Sequence, residues 1–419
     1  MNWLLRWFKP GIGLKRWVIP IGFGAFFLGI GLFPFRHILA PDFLRSYFVA
    51  YLLLGLSFAL LAIGVVGLIY SIASRTHRGH RSLYHQLKRS RRLRQGPRVV
   101  ALGGGTGLST ILRGLKKFTS NLTAIVAVTD DGGSSGRIRE QFDLPAPGDL
   151  RNCLVALAPE EERLAKLFSY RFTEGGALEG HSMGNLLLTA LTDITGGFDA
   201  ALRECSDVLA TEGRVLPSLL GTPELWAKLE SGEEQIGETA ISATHDRIKS
   251  LSVRPDPPTS NPEAIASVSS TRVIIVGPGS LYTSILSNFI DPEFCSAVIN
   301  SLAEKFYICN LMTEAKETDG YTVKDHLEAF INIPPEPIYF DHVLVNIRQA
   351  PKSIREEYQK EGAEFVRYDF NELRDYPGII HTGDFLSIED GVLRHNVEKL
   401  SRTIEGLVDN NNNETVDNQ

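Results

Sequence analysis

The apolar positions of this chain follow two different rhythms. Near the amino terminus they run almost unbroken: "VIPIGFGAFFLGIGLFPF" (Val18 to Phe35) and "YFVAYLLLGLSFALLAIGVVGLIYSIA" (Tyr47 to Ala73) contain no charged residue. Each approaches the roughly 20 residues a helix needs to cross a bilayer core, so the pattern predicts two transmembrane helices. From Arg98 onward the runs shorten and alternate. "RVVAL" has strand length and leads into a Gly-rich turn and then "LSTILRGLKKF", where Leu108, Ile111, Leu112 and Leu115 recur at helical spacing; "LTAIVAVT" is a second buried strand. Strand, glycine loop, helix, strand opens a parallel α/β sheet, and "TRVIIVGPGSLYTSIL" repeats the theme later.

Between and after these units, "ERLAKLFSYRF" and "NLLLTALTDIT" read as helices, and "KFYICNLM", "HVLVN" and "AEFVRYD" as further strands. Short alternations between Gly turns in "RVLPSLLGTPELWAKLESGEEQIGETAI" predict a small antiparallel β insertion. The expected fold is thus a Rossmann-like, doubly wound, mostly parallel α/β sheet with that insertion, preceded by two transmembrane helices. Residues 1–74 form a two-span membrane anchor, 75–97 a basic juxtamembrane linker, 98–408 a nucleotide-binding domain and 409–419, ending in "DNNNNETVDNQ", a disordered tail.

Charge sharpens this division. The first 96 residues hold 14 Lys and Arg against one Asp, whereas the rest holds 29 basic and 48 acidic residues, a net −19. A cleaved signal peptide does not fit, because a second, longer apolar span follows and no small-residue cleavage site stands after Phe35. Arg6, Lys9, Lys15 and Arg16 precede the first span and eight Lys and Arg lie between Arg75 and Arg94, so both termini and the soluble domain are expected on the cytoplasmic side of the cell membrane. Beside a membrane span, this basic stretch is expected on anionic headgroups rather than on nucleic acid. Cys153, Cys205, Cys295 and Cys309 form no CxxC pair and no zinc-like cluster, so no structural metal or disulfide framework is implied.

Candidate chemistry gathers at the glycine loops. "GGGTG" (Gly103, Gly104, Gly105, Thr106, Gly107) follows a strand and opens a helix, which places backbone N–H groups and a helix's positive end where an anion would sit. It is no P-loop, and as GxGxxG it fails at the last glycine. "GPGSLYTS", with Gly277, Gly279, Ser280 and Thr283, is a second such loop, and the two are expected to converge on a polyanion such as a pyrophosphate. In so acidic a domain, attraction must be local, from N–H groups, Arg137, Arg139 and Arg151, or a bridging cation. "VTDDGGSSGR" carries Asp130, Asp131, Gly132, Gly133 and Ser134 about 20 residues after the first glycines, where a dinucleotide fold places its ribose reader. Two acids, with Asp149 and Asn152 of "PGDLRN", also permit a carboxylate cluster able to hold Mg2+. Asp149 is equally suited to capping a helix. His181 and Asn185 of "GHSMGN" begin an apolar helix, and Asn185 is a candidate base or ribose contact.

Taken together, "ALGGGTGLSTILRGLK", "VTDDGGSSGRIR", "PGDLRNCLVAL", "GHSMGNLLLTALT", "GPGSLYTSIL", "ETDGYTVKDHLEA" and "LRHNVEKL" resemble the gluconeogenesis factor (YvcK) family of the CofD-like superfamily, over about Arg98 to Leu407. The resemblance implies a regulatory protein whose ligand is a UDP-sugar. It also implies a role in growth on gluconeogenic carbon, cell morphogenesis and peptidoglycan synthesis, with wall-synthesis or regulatory protein partners and homo-oligomers. The superfamily's enzymatic branch transfers 2-phospholactate to a deazaflavin with Mg2+ on the matching Asp-Asp loop. A Mg2+-dependent phosphotransferase is therefore the alternative, and an NAD-binding oxidoreductase the second. Carried over, the phosphate loops fall on Gly103 to Gly107 and Gly277 to Thr283, and the metal acids on Asp130, Asp131 and Asp149. The chain departs from the family at "MTEAKET" (Met312 to Thr318), where Glu314, Ala315 and Lys316 replace the usual Gln-Pro-Gly.

Overall fold

The computed structural model describes residues 15–32, 47–73 and 91–416, in two compact units divided along the chain between Arg91 and Arg92. Most of the expected basic linker, 75–90 of 75–97, lies outside the described residues. In the first unit, Lys15–Leu32 and Tyr47–Ala73 are helices. Only the second contains a window, Tyr51–Leu68, long and apolar enough to cross a membrane; the first offers the shorter apolar stretch Trp17–Ile30, interrupted by Pro20. Small residues let the two helices approach closely. A Cβ on Gly24 would meet Leu61, one on Gly64 would meet Ile21, and Ser57 Oγ donates to Gly24 O at 2.8 Å.

The second unit is built on a seven-stranded parallel sheet. Its strands are β1 (Val99–Gly103), β2 (Leu122–Val126), β3 (Arg214–Pro217), β7 (Val273–Val276), β8 (Glu304–Ile308), β9 (His342–Asn346) and β10 (Ile379–Gly383). The order across the sheet is β10-β9-β8-β7-β1-β2-β3. Burial on both faces explains why β1 and β7 read as continuous apolar runs, every residue of each being buried. The chain builds outward from β1 through β2 to β3, then returns to β7 on the other side of β1 and builds outward again. The β1/β7 boundary is therefore the topological switch point, where a doubly wound sheet opens a crevice at the strands' carboxyl ends.

Several elements differ from the pattern read in the sequence. Arg214–Pro217, taken as the start of the antiparallel insertion, pairs with β2 and closes the parallel sheet. The insertion itself is β4 (Glu224–Leu229), β5 (Glu234–Ile236) and β6 (Ile248–Arg254) in the order β5-β4-β6. "AEFVRYD" forms only isolated bridges, Met312 with Phe365 and Thr322 with Arg367, and the edge strand is supplied further on by β10. A hairpin of β11 (Leu386–Glu389) and β12 (Val392–His395) turns at Asp390 and Gly391, both at positive φ, as a two-residue hairpin loop requires. The last helix, Val397–Val416, includes most of the polar stretch expected to be a disordered tail.

Candidate functional site

The first glycine loop turns directly from β1 into the helix Gly105–Leu115, with Gly104 extended at its cap and Gly105 at φ +59. The second leaves β7 and enters a π-helical turn, Leu281–Ile285, then a 3₁₀ turn, Leu286–Phe289, instead of the regular helix expected. The two loops touch: a Cβ on Gly107 would stand 2.2 Å from the Pro278 carbonyl oxygen, and one on Gly104 would stand 3.1 Å from Ser284 Cβ. Glycine at 107 is a matter of space, because there backbone meets backbone.

Above this junction opens a cleft of about 560 Å³, a size suited to a nucleotide-sized ligand. Gly104, Gly105, Thr106, Gly107, Gly279 and Ser280 line it, as anticipated. Its remaining wall was not anticipated. Asn310 stands just after β8, donating Nδ2–H to Gly279 O at 2.8 Å and accepting from Gly279 N at 3.2 Å. Thr313 and Glu314 follow, and Arg394 and His395 arrive from β12. Burial lowers the His395 pKa to about 4, so the ring is neutral and Arg394 is the wall's cation. The rule that ligands sit beyond the carboxyl ends of parallel strands would have found Asn310. The hairpin's approach is a tertiary fact with no local signal.

Other predicted residues lie elsewhere. Gly103 and Gly277 are buried at the ends of β1 and β7. Thr283 is buried, its hydroxyl without a partner, and does not line the cleft. Asn185, a candidate base or ribose contact, is buried: its Oδ1 accepts from Arg151 at 2.8 Å and its Nδ2 donates to Ser134 Oγ at 3.1 Å. Arg151 also donates to Asn152 Oδ1 at 2.8 Å and to Ser182 Oγ at 2.5 Å, and Ser134 Oγ lies 3.1 Å from His181 Nδ1. These side chains tie the helices Gly133–Phe142, Pro147–Leu157 and Met183–Thr195 together. Among the expected local cations, Arg139 donates to the Thr129 and Thr222 carbonyls and Arg151 is buried in this network. Arg137 is exposed beside Gly180.

Acids crowd the junction between this network and the cleft. Asp149 accepts a hydrogen bond from Gly105 N, so the first loop's leading amide is already held by a carboxylate. Burial, then the nearby Asp130 charge, raises the Asp149 pKa to about 6, against the Gly105 bond and Arg151. Glu238, from the short helix after β5, is pushed to about 9 by burial and by Asp130, Asp149, Glu317 and Asp131. Asp131 is turned toward this helix, accepting from Thr239 N at 2.9 Å and Thr239 Oγ1 at 2.6 Å. Asp130 Oδ1 accepts from Gly132 N at 2.8 Å. The three acids suggested for a metal are thus not gathered as one set, and among the described residues no group of three His, Cys, Asp or Glu side chains converges on a metal position. Asp130 and Asp149 share one charged neighbourhood, and two carboxylates beside a phosphate loop match what Mg2+ asks of a protein when substrate oxygens complete its shell.

The second loop is occupied in the same manner. Glu317 is buried and its Oε1 accepts from Tyr282 N at 2.8 Å and Thr283 N at 3.4 Å, so these amides face a side chain of the protein itself. Burial and the Glu314 charge raise the Glu317 pKa to about 8. The amides of Thr106 and Gly107, in the first turn of their helix, have no intrahelical acceptor and remain to meet a ligand in the cleft.

Residues 99–385 match the family CofD, 2-phospho-L-lactate transferase. A gluconeogenesis factor of Halalkalibacterium halodurans is 45% identical over 307 residues, covering 73% of this chain and 95% of its own. A Nostoc relative bearing the gluconeogenesis factor name is 39% identical over 423 residues, 96% of this chain and 92% of its own. Among solved structures, a member of the upf0052 family from Bacillus halodurans superposes with a TM-score of 0.70 at 44% identity, covering 73% of this chain and 98% of that one.

Proposed function

The chain belongs to the gluconeogenesis factor family and carries its CofD-like domain, and from that premise we propose that it is a membrane-anchored, cytoplasm-facing regulatory protein that binds nucleotide sugars, UDP-sugars foremost. It would report precursor supply to wall synthesis and morphogenesis and support growth on gluconeogenic carbon. The observation that carries this reading is the meeting of the two glycine loops at the β1/β7 switch point, which sets the free amides of Thr106 and Gly107 in one cleft with Arg394. Those donors suit a diphosphate. The polar wall of Ser280, Asn310, Thr313 and Glu314 suits a hydroxyl-rich sugar.

A second reading, a Mg2+-dependent phosphotransferase, is favoured by one feature: beside a phosphate loop, burial and then the Asp130 charge raise the Asp149 carboxyl's cost of ionisation, a perturbation that clusters at functional sites. Mg2+ would be held by these two acids and would neutralise phosphate oxygens. An NAD-binding oxidoreductase has only the incomplete glycine fingerprint behind it. Titration calorimetry of the full chain in detergent with UDP-sugars, GDP and NAD, each with and without Mg2+, separates the three. Binding of UDP-sugars without metal is the expected result. Binding of GDP alone, and only with Mg2+, would sink the sensor in favour of the transferase.

A further inference from the structure

The edge of the sheet opposite the cleft has a character of its own. All seven strands are parallel, so their amino-terminal ends lie together. Backbone bonds join the segments that lead into them: Arg272 N to Arg98 O at 3.1 Å, Glu304 N to Arg272 O at 3.0 Å, Asp341 N to Lys305 O at 2.9 Å and Ile379 N to Asp341 O at 2.8 Å. Along this continuous edge three large apolar side chains face solvent. Leu302, just before β8, is fully exposed, and Tyr339 and Ile379 are 47% and 58% exposed.

Cations stand beside them. Arg98 and Arg272 are exposed, and neither has an acidic partner among the described residues. A cavity of about 370 Å³ opens next to Arg98, lined by Arg98, Arg214 and hydroxyl side chains, with no carboxylate. Of the acids on this edge, Glu263 pairs with Arg203 and Arg214, Asp341 Oδ2 accepts from Lys305 N at 2.8 Å, and Glu304 lies beside Arg272, its Oε2 3.9 Å from His342 Nε2. In a domain of net −19, Arg98 and Arg272 are two cations without an acidic partner among the described residues at the β1 and β7 end of this edge. The polypeptide also enters the domain here, because Arg98 precedes β1 and is itself preceded by the eight Lys and Arg between Arg75 and Arg94.

Exposed apolar side chains on the β8 to β10 side of this edge, next to arginines without an acidic partner on its β7 and β1 side where the tether arrives, are what an anionic bilayer surface recognises. We propose that the amino-terminal edge of the sheet is a lipid-docking surface, with Arg98 and Arg272 on headgroup phosphates and Leu302 entering the interface, so that the cleft at the opposite edge faces away from the bilayer. The inference rests on the membrane anchoring proposed above. Each arginine near an anionic surface favours the docked state by roughly fivefold, so losing both shifts the balance by roughly 25-fold.

The four native cysteines are buried, so a cysteine placed at Leu302 is labelled selectively. Full-length Leu302→Cys carrying an environment-sensitive dye is reconstituted into vesicles of phosphatidylcholine alone or mixed with phosphatidylglycerol. The same label at Leu178, exposed beside His181 near the opposite edge, is the control. The expected result is a blue-shifted Leu302 label, quenched by spin-labelled headgroups, in anionic vesicles only, reversed by high salt and lost in Arg98→Ser/Arg272→Ser, while the control stays water-like. A water-like Leu302 label in anionic vesicles overturns docking. So does a shift that follows protein density rather than anionic lipid, which would make this edge an interface between two copies, or one abolished by inorganic phosphate in neutral vesicles. Alkaline carbonate extraction reads the anchor separately: a chain that is extracted, yet whose label still responds to anionic vesicles, loses the anchor and keeps the docking surface.

Discussion

Replacing Glu317 by Gln tests the reading of the second glycine loop at its most exacting point. The carboxyl is buried and accepts the Tyr282 and Thr283 amides, and its pKa is raised from 4.5 to about 8. A raised acid favours folding while it is protonated in both states. Its contribution is therefore fully present below pH ~4.5 and is lost as pH rises toward ~8, because the unfolded chain releases the proton first. At ~1.4 kcal/mol per unit the shift corresponds to on the order of 5 kcal/mol, and because Glu314 titrates with it the share removed by one substitution is roughly 2 to 4 kcal/mol. A glutamine oxygen accepts the same two amide bonds and never ionises. Chemical unfolding of the full chain in mild detergent, followed by tryptophan fluorescence to which Trp226 contributes from the domain, is measured at about pH 5, 7 and 9. Wild type should lose stability across this range, and Glu317→Gln should lose less by that amount, becoming the more stable protein at the alkaline end. Parallel pH profiles for the two proteins would refute the argument, since the carboxyl would then not be the group that titrates.

Three further outcomes are expected. Gly107→Ala sets a methyl against the Pro278 carbonyl and forces the two loops apart, costing roughly 1 to 3 kcal/mol in unfolding experiments and abolishing the UDP-sugar heat in calorimetry; unchanged binding would mean that the loops do not act together. Lys316 sits at φ +81 where a side chain is strained, so Lys316→Gly should stabilise the domain by about 0.5 to 1 kcal/mol in the same assay, and a loss of stability would show that the strain is absent. Thr322 and Asp325 form a reciprocal capping box at the helix Val323–Asn332, so Thr322→Ala should lower unfolding stability by ~1 kcal/mol, and no change would mean that solvent caps that helix equally well.

The sequence alone determined the identity and kind of most elements near the site. Unbroken apolar runs in β1 and β7 and the Gly-rich turns after them are local signals, because a strand buried on both faces and a backbone that must approach another backbone each restrict residue type at that position. Charge asymmetry separated the basic first segment from the acidic domain for the same reason: it is a sum over residues and needs no fold. What only the tertiary structure decided is which polar groups meet. The expected strand at "AEFVRYD" lost its place to β10, since sheet membership depends on the neighbours available and not on β propensity. Asp131, Asn185 and Thr283 looked like ligand contacts and turned to protein partners or to the core, whereas Asn310, Glu317 and Arg394, separated from the glycines by long stretches of chain, came to the cleft or to its loops. A backbone conformation is dictated within a few residues, but a hydrogen bond or a charge pair needs two groups within a few ångströms, and only the packing of the whole sheet brings them there.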